Sequence, residues 1–141
     1  MTSNKPAPYL KYAVFCKDTE EDSNSDLSLK GLIDLIELPS PKKSNESDNP
    51  VVAQVDVTLA FCIAAGVPGA HHLMVAIKAP GIPLEPTPPQ RIEWDEGILF
   101  QRWIKVFRIP VQRAGLHVAA ILLDGTPLGQ ASFLVRFKDK N

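Results

Sequence analysis

The sequence predicts an all-β fold: an antiparallel β-sandwich of seven or eight strands with immunoglobulin-like connectivity. Three observations predict it. Hydrophobicity alternates with period two along most of the chain, where a helix would repeat every 3.6 residues. Clusters of Gly, Pro, Asn, Asp and Ser punctuate the alternation at sandwich-like intervals. No long amphipathic helix and no internal repeat interrupts it.

The strands follow in order. Residues 9–16 form the first. Residues 27–38 form the second, with Gly31 marking a bulge or a close approach. The clearest is 51–63, VVAQVDVTLAFCI. Val51, Ala53, Val55, Val57, Leu59, Phe61 and Ile63 share one face, and Gln54, Asp56 and Thr58 the other. Its β-branched residues lose side-chain freedom in helices, which favours a half-buried strand. Residues 70–78 and 90–94 form the fourth and fifth. The sixth, 98–109, changes hydrophobic phase near Trp103 and Ile104, as a bulge would make it do. Residues 115–123 and 128–137 form the last two.

Breakers separate them: DTEEDSNSD at 18–26, PSPKKSNESDNP at 39–50, and APGIPLEPTPPQ at 79–90. The last carries five prolines and is expected to be a loop, because proline cannot donate to a ladder. One domain is expected over 1–141, with tails at 1–8 and 138–141.

Composition narrows the function classes. The net charge of -1 argues against a general electrostatic grip on nucleic acid or anionic lipid. Residues 17–48 carry nine acids and four bases, and residues 91–141 five acids and eight bases, a mild asymmetry that loop solvation explains. The opening MTSNKPAPYLKYAVF lacks the apolar stretch of a signal peptide, and no run reaches membrane-span length. Cys16 and Cys62 each sit in an apolar run and read as buried thiols, not a disulfide framework. The expected location is cytoplasmic, with no membrane partner.

Three stretches carry a resemblance: YAVFCKD (12–18), LSLKGLIDLIELP (27–39) and GLHVAAILLDG (115–125) with the strand after it. Together they resemble a family of small uncharacterised bacterial proteins, a domain of unknown function. Its members open with a strand and an acidic turn and close on a Gly-led strand ending in Leu-Asp-Gly. The chain departs from that pattern at His117, where an aromatic is expected. The resemblance implies the sandwich fold and a bacterial source. It implies no activity and carries over no functional residue.

Candidate chemistry is sparse. His71 and His72 are adjacent, so on a strand they point to opposite faces and do not share a metal ion. A site would need one of them to meet His117 and a carboxylate, and zinc-type spacings are missing. Asp18, Glu20, Asp22, Asn24 and Asp26 alternate as calcium-loop ligands do. The loop glycine is missing, and the twelfth position is Leu29 or Ile33 instead of Glu, so a solvated acidic turn is expected. Arg102, Lys105, Arg108 and Arg113 interleave with Trp103 and Phe107, a pattern that can hold single-stranded nucleic acid. Regular alternation puts Lys105 opposite to Arg102 and Arg108, with Glu93, Asp95 and Glu96 nearby to pair with them. No catalytic motif, metal ligand set or cofactor signature is present.

The terminal hairpin is the informative feature. Ala131, Phe133, Val135 and Phe137 define the core face of the last strand. With Asp124-Gly125-Thr126 as the loop, paired residue numbers sum to 250, and His117, Ala119, Ile121 and Leu123 join that face. A two-residue Asp-Gly turn would give 249 and mismatch the faces, so burial favours the longer loop. Leu116, Val118, Ala120 and Leu122, flanked by Leu134, are left on the outer face. The Pro-rich segment, a second copy of the chain or a foreign protein must cover them. The expected function is a non-catalytic binding or assembly module acting through protein contacts, homodimerisation included, with no nucleic acid, cofactor or metal. The alternative is a small-ligand or metal-dependent enzyme or binder with a loop-built site near His71, His72 and the acidic segment.

Overall fold

The computed structural model describes residues 7–40 and 53–138. Val51 and Val52, most of the 39–50 segment and the outer parts of both expected tails lie outside them. The described chain is all-β, with ten strands in two sheets. They are β1 (Tyr9–Glu21), β2 (Leu27–Leu32), β3 (Leu35–Pro39), β4 (Ala53–Ala64), β5 (Gly69–Ala79), β6 (Ile82–Pro86), β7 (Gln90–Trp94), β8 (Phe100–Val111), β9 (Gly115–Leu123) and β10 (Thr126–Lys138).

The four-stranded sheet runs β2-β1-β4-β8, and the other runs β3-β10-β9-β5-β6, with β7 also on β5. Pairing of β4 with β8 in one layer, and of β5, β9 and β10 in the other, reproduces the B–E and C–F–G order of an immunoglobulin-like sandwich. The pairs are antiparallel except β3 with β10, which is parallel.

Two expected elements are divided or added. The 27–38 strand breaks in two because the chain changes sheets. Ile33 N–H still donates to Phe15 O in the first sheet (2.8 Å), and one residue later Asp34 O accepts from Leu134 N–H in the second (2.8 Å). Ile33 is buried at the crossing, and the inward phase shifts there, from Leu27, Leu29 and Ile33 to Ile36 and Leu38. Gly31, at φ 66°, sits just before it, and a Cβ there would stand 2.9 Å from Lys17 Cδ. The second departure is β6, which forms inside the Pro-rich segment despite Pro83 and Pro86. It is an edge strand on the second half of β5, where a missing N–H is tolerated.

The core lies between the sheets. Phe15 and Phe133 meet edge-to-face across it at 5.0 Å between ring centroids. Trp94 caps one end, its Nε1–H donating to Ile98 O at 2.9 Å. Gly66 lies beneath that ring, where any Cβ would fall 2.1 Å from it.

β4 is more buried than its sequence predicts. Thr58, Ala60 and Cys62 point away from the core, yet each is at most 7% exposed. Their cover is the β1–β2 hairpin. β1 leaves β4 after Cys16 and continues as a two-stranded ribbon with β2. The ribbon's tip reaches β8, where Arg102 donates to Ser25 O at 2.7 Å and lies 3.6 Å from Glu21. The ribbon therefore folds back across the outer face of its own sheet.

β8 carries no bulge. It pairs in unbroken register with β4 from Ala53–Val111 to Ala64–Phe100. Trp103, Phe107, Ile109 and Val111 face the core in one phase, and Phe100, Ile104 and Val106 are exposed on the other. The apparent phase change comes from Lys105, which points inward on an edge strand. An inward charge of that kind discourages edge-to-edge pairing.

Candidate functional site

The hairpin of β9 and β10 settles the outer stripe. Asp124 and Gly125, at φ 51° and 80°, form the two-residue turn that an Asp-Gly pair favours, so Leu123 pairs with Thr126 and Leu122 with Pro127. A bulge at Leu128 then shifts the register, and from Ile121–Gly129 onward the pairs sum to 250. The expected three-residue loop is thus incorrect, while the expected faces are correct. Turn preference and burial are both satisfied because the extra residue sits in the strand and not in the turn. Leu128 itself packs against the core.

Leu116 and Leu134 are therefore directly opposed on the outer face, and Leu134 pairs with Leu35 on β3. The three leucines form one row across three strands, exposed by 52%, 44% and 42% for Leu116, Leu134 and Leu35. Val118, Ala120 and Leu122 continue the stripe, half-buried, beside Lys78, Ala76 and Met74 of β5. The segment after β5 does not close over it. Pro80, Gly81 and Pro83 instead wall a shallow hollow of about 540 Å³ beside Leu116 and Val118.

A second apolar area was not anticipated. Tyr9, Val67 and Leu99 line a hollow of about 580 Å³ at the end of the sandwich that carries the β4–β5 and β7–β8 loops. Their exposures of 53%, 51% and 77% are high for such residues. The available signal was apolar composition in places that should be polar, in AAGVPG and DEGIL.

At the same end His71 is held by acceptors on both ring nitrogens. Nδ1 lies 2.5 Å from Asp124 Oδ2 and Nε2 lies 2.5 Å from Val67 O. The other Asp124 oxygen accepts from His72 N–H at 2.8 Å, and Asp124 N–H donates to His72 O at 2.8 Å. Two acceptors favour the imidazolium, so the Asp124 hydrogen bond, then the Val67 carbonyl, raise the His71 pKa above its ordinary value. The Asp124 carboxyl is held below its ordinary value by His71 and then by the His72 amide. With both nitrogens committed, His71 has no lone pair for a metal or a substrate proton. The arrangement is a clasp between the β4–β5 loop, β5 and the β9–β10 turn.

The other candidates stand apart. His72 is exposed on the opposite strand face. His117 is buried, stacked on Phe133 at 5.1 Å and 13°, with Nδ1 3.1 Å from Gly115 O. Burial lowers its pKa. Among the described residues no three His, Cys, Asp or Glu side chains are grouped to hold a metal. The acidic segment is not a loop throughout, because β1 runs to Glu21. Glu20 pairs with Lys30, and Asp22 Oδ1 accepts from Asn24 N–H and Asp26 N–H at 2.8 and 3.0 Å. Its carboxylates are thus spread along a strand and a self-capped turn. Arg108 pairs with Asp56 at 3.0 Å, Lys105 turns inward, and Arg113 lies in the β8–β9 turn. Cys16 and Cys62 are free and buried on adjacent strands, and desolvation raises both thiol pKa values. No helix of the described residues is long and apolar enough to cross a membrane.

No family model matches the sequence, and no curated protein matches it. Among solved structures, the chain is similar to the Pseudomonas fluorescens alkylpurine DNA glycosylase AlkC bound to DNA containing an abasic site analog. The TM-score is 0.53 at 15% identity, over 92% of this chain and 30% of that one. The chain thus spans under a third of that glycosylase's length, and the likeness is one of fold.

Proposed function

We propose that the protein is a non-catalytic cytoplasmic assembly module, of bacterial origin, that acts through protein contacts. Its contact surface is the outer face of the second sheet, and the occupant is a second copy of the chain. The observation that carries this reading is the row Leu35–Leu134–Leu116, with Val118, Ala120 and Leu122 behind it. A flat row of identical side chains is self-complementary, as a two-fold interface requires. The neighbouring Arg136–Glu37 pair offers both charge signs at its margin, so a rotated copy meets no single-sign repulsion.

Burying a half-exposed leucine is worth roughly 1 kcal/mol. Six leucines across two copies therefore support a concentration-dependent dimer and not a permanent one. Protein is favoured over nucleic acid because Arg102 and Arg108 are each engaged by an acid of the same sheet. The free thiols of Cys16 and Cys62 support a reducing compartment.

Sedimentation velocity across a range of concentrations tests the reading. The unaltered chain is expected to gain mass as concentration rises, and Leu134→Asp to remain monomeric at every concentration. An unaltered chain that stays monomeric throughout, or a Leu134→Asp chain that still dimerises, would overturn it.

A further inference from the structure

Sandwiches have open sides where the two sheets part, and one of these carries a cleft. On one wall is the inward face of β8, with Lys105 and Phe107. On the other is the edge of β5, with Leu73 and Val75 at the floor. The cleft opens because two short strands share that edge. β7 pairs with the first part of β5 and β6 with the last part, leaving residues 87–89 unpaired between them. Thr87 closes the ladder across the gap. Its hydroxyl donates to Val75 O at 2.8 Å and accepts from Val75 N–H at 3.2 Å, while its own N–H donates to Val75 O at 3.0 Å.

The hollow measures about 330 Å³, and a second of about 170 Å³ continues beyond the Phe107 ring toward Ile77 and Ile109. The first alone reaches the lower end of small-molecule sites, roughly 300 Å³. Its floor is apolar, and Thr87 has spent its hydroxyl on the backbone. Lys105 is the charged residue of this lining. Its Nζ donates to Gln90 Oε1 at 2.8 Å, a neutral acceptor, and among the described residues it pairs with no carboxylate. An ammonium has three donors, so at least two remain for an incoming group. The Lys105–Gln90 bond is solvent-exposed, so the ammonium stands at the mouth of the cleft, where an entering carboxylate reaches it in a charge-assisted hydrogen bond.

We propose that this cleft binds a small apolar monocarboxylic acid. Its carboxylate accepts from Lys105 Nζ, and its hydrocarbon tail lies over Leu73 and Val75 toward Phe107. The site lies between the sheets and is independent of the leucine row on the outer face.

Octanoate and octanamide serve as probes, followed by amide chemical shifts of the full chain. Octanoate is expected to shift the amides of Leu73, Val75 and Phe107 saturably, with octanamide weaker by about tenfold, the loss of one charge-assisted hydrogen bond. Lys105→Gln is expected to lose about tenfold in octanoate affinity and Lys105→Arg to retain most of it. Unmoved amides at those positions, or equal binding of octanoate and octanamide, would overturn the proposal. Equal octanoate affinity in Lys105→Gln would do the same. If Lys105→Gln fails to fold, the two probes on the unaltered chain still decide. Octanoate binding that persists in monomeric Leu134→Asp separates this site from the dimer surface.

Discussion

The imidazole of His71 and the carboxylate of Asp124 lie 53 positions apart in the chain and meet at 2.5 Å. This ion pair spans the loop end of the sandwich and leaves neither nitrogen of His71 available. The pair resembles a catalytic dyad in composition and a fastener in connectivity. Its consequence is a signature in stability.

Because the His71 pKa is raised on folding, its contribution is full below the unfolded value, about 6.5, and is lost as pH rises through the folded one. Because the Asp124 pKa is lowered, its contribution is present above the unfolded value, about 3.8, and is lost as pH falls through the folded one. The clasp is therefore strongest between about pH 4 and 6.5. Asp124→Asn keeps a residue that tolerates positive φ and removes the charge. Its melting temperature is expected to fall relative to the unaltered chain at pH 5.5, with the gap closing by pH 9. A gap that stays constant with pH would contradict this.

His117 tilts the profile the other way. Burial depresses its pKa, so the unfolded state takes up the proton first and stability falls as pH drops through about 6.5. Its Nε2 is buried without a partner. Phenylalanine has nearly the same shape and would keep the stack on Phe133. His117→Phe is expected to leave stability unchanged or raise it by about 1 kcal/mol at pH 7, since an unsatisfied buried nitrogen costs about that much. The gain should grow toward pH 5. A chemical denaturation series at the two pH values measures it, and a loss of several kcal/mol would show that the Gly115 hydrogen bond outweighs the orphaned nitrogen.

Two glycines separate steric from conformational demands. Gly66→Ala drives a methyl into the Trp94 ring, which lies 2.1 Å from the Cβ position, and is expected to cost about 3 kcal/mol or more. Gly97 has open space around it but a φ of 87°, so Gly97→Ala is expected to cost about 1 kcal/mol through backbone strain alone. Urea midpoints of the two variants check the order. Equal midpoints would mean that the Trp94 ring moves aside.

Edge-to-face packing of Phe15 and Phe133 joins the two sheets. Phe133→Ala is expected to destabilise by about 3–5 kcal/mol. The tryptophan emission of Trp94 and the backbone circular dichroism should melt together if the sandwich is one cooperative unit.

Alternation revealed most strands because it records which side chains are buried, and burial sets the period. It does not record which sheet buries them. The inward phase shifts from Ile33 to Ile36 as the chain crosses between layers, but a single step out of phase in an apolar run also fits a bulge, so 27–38 reads as one strand although it is two. β6 was hidden by Pro83 and Pro86, whose missing donors matter only on a paired side. The burial of Ala60 and Cys62 depends on a ribbon returning from elsewhere in the chain, and nothing local to β4 announces it. Lys105 misled by being charged where its neighbours are apolar, and the same contrast marks the cleft. The stripe from Leu116 to Leu122 was legible because the phase of Phe133 and Val135 fixes it. The apolar loop end was also written in the sequence, in Val67 and Leu99, but loops are read for polarity and turn residues and not for what they leave exposed.

The bulge at Leu128 gives this hairpin an arithmetic. Between Thr126 and Val135 only Leu128 has no partner on β9, and every residue beyond it keeps its side because that one position is left out of the ladder. Removing Leu128 alone would keep the Asp124-Gly125 turn and leave Gly129 opposite Ile121 and Phe133 opposite His117, so Phe133 and Val135 would still face the core in a ladder without a bulge. A single residue added between Gly125 and Ala131 and taken into the ladder would instead turn Phe133 and Val135 outward, whatever the residue inserted, so this stretch tolerates the loss of one position better than the gain of one.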